Sequence, residues 1–167
     1  KLNQKDRLEY FKGASPMSVC TFIASDYPLT EIEPSQDYPL DIHIDDGTVH
    51  DGGADDNYCL YTFTDVEDYT EKRNAVYLEW NYTDGRAKQI IAYIKNALQN
   101  TDSIELWHVW LMDCYEFEDS PVVHRRTISI SDLTTKHIKD IDSADIWNTP
   151  DKMHPNRPSF YCMEIKR

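Results

Sequence analysis

Seven side chains between positions 43 and 56 gather imidazole and carboxylate on one short stretch: His43, Asp45, Asp46, His50, Asp51, Asp55 and Asp56. Mixed nitrogen and oxygen donors suit divalent ions of intermediate hardness, such as zinc, manganese or iron. His43, Asp45, His50 and Asp51 are the candidate ligands, with Gly47, Gly52 and Gly53 giving the backbone freedom to wrap an ion. No H-E-x-x-H pair is present, and neither Asp41 nor Asp45 starts a calcium loop with its Gly and Glu at the required places. The competing reading is a solvated loop, because Asp, Asn and Gly are the common turn formers.

Nucleophilic chemistry finds less support. Cys20, Cys59, Cys114 and Cys162 are far apart, form no C-x-x-C pair, and lie in apolar runs. Cys20 and Cys59 sit inside an acidic block, which raises rather than lowers a thiol pKa. All four are expected to be reduced, structural thiols, which implies a cytoplasmic compartment. No G-x-S-x-G elbow and no Gly-rich phosphate loop appears. No cofactor is therefore expected, a divalent metal being the one inorganic ligand for which donors are present.

Two further constellations involve histidine. His108 lies in Leu106-Trp107-His108-Val109-Trp110. Trp107, His108 and Trp110 are the candidate lining of a small-ligand pocket; the plainer expectation is a neutral core histidine with a satisfied hydrogen bond. His124-Arg125-Arg126 holds the chain's adjacent arginine pair. Arg126 is expected to pair with a carboxylate, the alternative being a phosphate clamp.

The elements that must position these groups follow from periodicity. Residues 2–12 read as a short helix ended by Gly13 and Pro16. Strands are predicted over 19–24, 40–44, 58–64, 75–82, 104–112, 122–130 and 159–165, with 45–56 as a loop. Ala87, Ile90, Ile91, Ile94, Ala97 and Leu98 recur at helical spacing behind a cap at Thr83 or Asp84. A shorter helix, capped by Ser131, carries Leu133, Ile138 and Ile141. The expected fold is α+β: a largely antiparallel mixed sheet of six to seven strands, with one long and one or two short helices against it. Residues 1–16 are expected to form an N-terminal helical extension, and 17–167 a single α+β domain.

Charge bears on partners. The chain of 167 residues has 30 acidic and 17 basic side chains, a net charge of −13. From Gly13 to Glu71 there is no Lys or Arg but 14 Asp and Glu, leaving 16 acidic against 17 basic elsewhere. A pI near 4.7 argues against direct nucleic-acid binding, and no apolar run approaches a membrane span. The function expected is a non-catalytic binding protein for a basic protein partner, of antagonist or immunity type, using Asp45, Asp46, Asp51, Asp55 and Asp56. The alternatives are a metal-binding protein or metal-dependent hydrolase at 43–56, and a ligand-binding domain at Trp107, His108 and Trp110.

Overall fold

The structure, a computed structural model, describes residues 18–35, 41–43, 48–50, 55–64, 66–111, 120–146 and 158–167. The expected 2–12 helix, and with it the N-terminal extension, lies outside these residues. The strands are β1 (Ser18–Ser25), β2 (Asp41–His43), β3 (Thr48–His50), β4 (Cys59–Thr62), β5 (Asn74–Glu79), β6 (Ser103–Leu111), β7 (Val122–Ser129) and β8 (Ser159–Lys166). The helices are α1 (Asp84–Ala97) and α2 (Thr135–Asp142).

Six strands form one sheet in the order β4-β5-β1-β6-β8-β7. Its pairings are antiparallel except the last, where β7 runs parallel to β8. The α+β class holds, but the sheet is mixed rather than largely antiparallel. The reason is the connection through α2, which carries the chain back to the starting end of β7 before β8 begins. A second correction concerns the expected 45–56 loop. Thr48–His50 is a strand, paired antiparallel with Asp41–His43.

Alternation along the strands sorts side chains onto two faces. On one face, Ile23, Leu60, Val76, Leu78, Ile104, Leu106, Met163 and Ile165 pack against Ala87, Ile90, Ile91 and Ile94 of α1 and Ile138 and Ile141 of α2. On the other, Cys20, Phe22, Ala24, Trp107, Val109, Phe160 and Cys162 form an aromatic-rich layer with Val66, joined by Phe63, Tyr69 and Tyr77. Phe22 stacks on Trp107 at 5.9 Å between ring centroids.

Thr83 caps α1, its Oγ1 accepting from the Arg86 N–H at 3.0 Å. The second helix starts at Thr134, not at Ser131, which lies in the turn leaving β7. The Thr134 N–H donates to His137 Nδ1 at 3.1 Å, so the histidine ring answers a backbone donor that the helix leaves open. No helix among the described residues is long and apolar enough to cross a membrane.

Cys20, Cys59 and Cys162 are buried and not in disulfides. Burial pushes the Cys20 and Cys162 thiols up to about 12. In a Cys114→Ser variant, these three are expected to stay unreactive toward a thiol reagent at pH 8 until denaturant is added; prompt labelling of the native protein would contradict their placement. Ile94 is fully buried between α1 and the sheet. Ile94→Ala should lower unfolding free energy by about 2–5 kcal/mol in a denaturant titration.

Candidate functional site

The candidate residues named from sequence fall in several places. Asp45, Asp46 and Asp51 lie outside the described residues. The register of the β2–β3 hairpin sets Asp41 opposite His50 and His43 opposite Thr48. Asp55 and Asp56 are exposed. Asp55 Oδ1 accepts from Thr83 Oγ1 at 3.4 Å, at the start of α1. Its carboxylate occupies the space that a Cβ at position 85 would need, so Gly85 is what admits it there. A carboxylate at a helix N-terminus complements the helix dipole.

Trp107, His108 and Trp110 are all buried, but divided between the two layers. Trp107 and Trp110 belong to the aromatic layer. His108 faces the helices, where its Nδ1 lies 2.9 Å from Thr21 Oγ1, its partner across the β1–β6 pair. The backbone carbonyl of Ala144, just past α2, also accepts from the ring. Asp142 Oδ1, at the end of α2, accepts from Thr21 Oγ1 at 3.2 Å and from Trp80 Nε1 at 3.0 Å. The Trp80 indole, joined by Thr21 when its hydroxyl turns this way, offsets the unfavourable placing of a carboxylate at a helix C-terminus.

This network has a proton constraint. A carbonyl only accepts, so the ring nitrogen facing Ala144 carries hydrogen. In the neutral ring the other nitrogen, Nδ1, is then bare and takes the single Thr21 hydroxyl hydrogen, leaving Asp142 to Trp80. In the protonated ring Nδ1–H donates to Thr21, and the hydroxyl turns to Asp142. Burial lowers the His108 pKa, outweighing the opposing pull of the Asp142 charge and the Ala144 carbonyl.

A different site lies on the face of the sheet away from α1 and α2. A groove of about 630 Å³ is lined by Asp26, Glu67, Asp68, Tyr69, Thr70, Glu71, Lys72, Glu105, Arg125 and Glu164. Its floor comes from three strands. Glu105 of β6 stands directly opposite Glu164 of β8, and Thr127 of β7 is beside Glu164. Like charges placed so are mutually destabilising, and each carboxylate is held by its own donors. Glu105 accepts from Thr70 Oγ1 at 2.5 Å, Trp107 Nε1 at 2.8 Å and Arg125 Nη1 at 3.2 Å. Glu164 accepts from Thr127 Oγ1 at 3.0 Å and pairs with Lys166 at 3.2 Å. Burial alone would raise the Glu164 pKa; those two bonds, with the charges of Lys166 and Lys72, bring it below the ordinary value.

The groove wall is the turn 66–72. Val66, Tyr69 and Thr70 point inward, and the Tyr69 and Thr70 N–H groups both donate to the Val66 carbonyl. The Tyr69 ring packs against Phe22 and Phe160, each at 5.7 Å, and its hydroxyl donates to the Trp110 carbonyl at 3.2 Å. With those residues anchored, Glu67, Asp68 and Glu71 are left exposed. Lys72 folds back onto Asp26 at 2.6 Å and Ser103 at 3.0 Å. Arg125 lies 4.7 Å above the Trp107 ring. Arg125 is the residue paired with Glu105, while Arg126 Nη2 points to Met163 Sδ at 3.3 Å and its charge also acts on the Asp140 carboxylate.

Sequence reasoning missed Glu105 and Glu164 as groove residues. The available signal was a charged residue at one inward position in each of two otherwise apolar strands. Compared with family models, characterised proteins and solved structures, the chain matches none.

The His108 network yields two expectations. A histidine with a depressed folded pKa leaves the unfolded chain binding more protons below about 6.5, so stability should fall as pH drops through that value and level off above it. His108→Gln should flatten that slope in urea titrations across the range. Thr21→Val keeps the shape but strands the ring nitrogen, and should cost about 1–3 kcal/mol.

Proposed function

We propose that the protein is a non-catalytic binding protein for a basic partner, and that the partner's lysine or arginine side chains enter the groove on the face away from α1 and α2. The observation that carries this reading is the division of carboxylates around the groove. Asp26, Glu105 and Glu164 are bonded within the chain. Glu67, Asp68 and Glu71 are exposed on one anchored turn, and no described residue bonds their side chains. Rigid presentation of uncommitted charge favours cationic ligands without the entropic cost of ordering a loop.

The site also accounts for a second concentration of acid in the lysine-free block. That block supplies Asp26, Glu67, Asp68 and Glu71, which the topology brings beside Glu105 and Glu164. Among the described residues no histidine or cysteine lines the groove, and Thr70 commits its hydroxyl to Glu105. Recognition therefore suits this arrangement better than proton transfer or nucleophilic attack.

A nuclear magnetic resonance titration with a short peptide alternating Arg and Ser tests the reading. Shifts should centre on Glu67, Asp68, Glu71 and Arg125, and affinity should fall by about tenfold or more between low and high salt. The Glu67→Gln, Asp68→Asn, Glu71→Gln triple variant should lose most of the binding. Shifts confined to the Asp41–His50 hairpin, or affinity indifferent to salt, would refute it.

A metal-binding reading rests on the sequence of 43–56 and on the register that sets Asp41 opposite His50; among the described residues no group of three His, Cys, Asp or Glu is placed to hold an ion. Calorimetric titration with zinc and manganese tests it. Saturable binding lost in a His43→Ala, His50→Ala variant supports it, and no heat from either metal removes it.

A further inference from the structure

The two edges of the main sheet are finished differently. At the β4 edge, Ile32 lies alongside Leu60 and exchanges both backbone bonds with it, at 2.9 and 3.0 Å. At the β7 edge the register with β8 runs unbroken from Val122 to Ser129. The Val122 N–H donates to the Pro158 carbonyl, and the Ile130 N–H donates to the Lys166 carbonyl, at the two ends of this run. Strand alternation between these points assigns the even-numbered backbone groups to β8. The N–H and C=O groups of Val123, Arg125 and Thr127 therefore face away from the sheet, and no described residue pairs with them. Every side chain from Val123 to Thr127 is exposed, Val123 at 44%.

Exposed edges are commonly guarded by charged side chains that reach past the edge, lysine above all, by a proline or by a bulge. Between Val122 and Ser129 there is no lysine, proline or bulge. Nor do the two arginines extend past the edge. Arg125 lies back over Trp107 toward Glu105, and Arg126 lies back toward Met163. The open ladder is complementary to an extended backbone.

Charge selects the occupant. Arg125 is tied to Glu105 and His124 stacks on Tyr161, but Arg126 makes no bond to a carboxylate among the described residues, and no Asp or Glu occurs from Val122 to Ser131, in a chain of net charge −13. Self-pairing meets a specific obstacle. A twofold axis that used all three outward residues would centre on Arg125. It would set Arg125 against its own copy, and like charges directly opposite are destabilising. An extended strand bearing Asp or Glu meets the same positions favourably.

We propose that the outer edge of β7 is a docking strand for an extended acidic segment of a partner protein, which joins the sheet through backbone hydrogen bonds to Val123, Arg125 and Thr127. This edge borders the groove and shares Arg125 with its lining, but its outward backbone groups take a ligand of opposite charge.

The test uses the full chain and an acetylated, amidated peptide of about seven residues alternating Val and Glu, matched to a typical strand length. Amide hydrogen exchange is read residue by residue. In the protein alone, Val123, Arg125 and Thr127 should exchange fast, and His124 and Arg126 slowly. The Glu peptide at about 1 mM should slow the three fast amides by about tenfold or more, with the other two unchanged. A Lys version should not do so, nor should a Glu peptide N-methylated at alternate residues. Thr127→Pro, which deletes one outward N–H, should weaken the effect; should that variant not fold, the N-methylated peptide carries the same comparison. The proposal is overturned by absent protection, by equal protection from the Lys peptide, or by slow exchange of all five amides in the protein alone. Protection that rises with protein concentration alone would assign the edge to a second copy and overturn it equally.

Discussion

Everything in this fold leans on one strand that must be buried on both sides. Along β6, Ile104 and Leu106 need cover on one face, and Trp107 and Val109 on the other. A strand of this kind cannot sit at an edge or against water. The helices α1 and α2 answer the first face. Among the described residues, the second face is answered by aromatic side chains and by the turn 66–72, which is far thinner than a helix. Because that cover is thin and ends at Thr70, the strand's polar position Glu105 is reached by a groove instead of being sealed. The groove is thus a by-product of an asymmetric sandwich, and its charge is set by what the short cover exposes.

Electrostatics on that face is organised at two levels. Glu105 and Glu164 stand opposite each other and are tolerated because hydroxyl, indole, guanidinium and ammonium donors are supplied to them separately. Their role is internal: they fix Thr70, Trp107, Arg125 and Thr127. Glu67, Asp68 and Glu71 face outward from a turn held by Val66 and Tyr69, so their charge is available to a second molecule. Arg125 belongs to both levels, since it ties Glu105, covers Trp107 and stands on the strand whose outer edge is open. Net charge bears on attraction and rate of encounter; the proposed reading places that attraction at the groove.

The sequence carried the elements better than their arrangement. Ile90, Ile91 and Ile94 at helical spacing placed α1, and the alternation Val76, Leu78, Trp80, Tyr82 named a face that does pack on the helix-side core. What alternation cannot encode is which strand lies beside which, so the parallel entry of β7 was not legible. The strand Thr48–His50 was hidden by its length and by the Asp and Gly residues around it, which signal turns wherever they occur. The satisfied bonding expected for His108 is present, but its partners Thr21, Asp142 and Ala144 are separated from it by up to 87 positions, beyond any local pattern. For the same reason the groove was only half visible: the acidic run near Glu71 stood out, while Glu105 and Glu164 looked like stray charges in apolar strands.

The central claim, that the carboxylates of the 66–72 turn receive a cationic partner, is tested most directly by zero-length carbodiimide cross-linking to a lysine-containing basic peptide, with the joined residues mapped by mass spectrometry. The account predicts cross-links at Glu67, Asp68 and Glu71, with Glu105 protected by its three donors. Cross-links distributed evenly over the chain's exposed carboxylates, or concentrated at Asp55 and Asp56 with none on the turn, would contradict it.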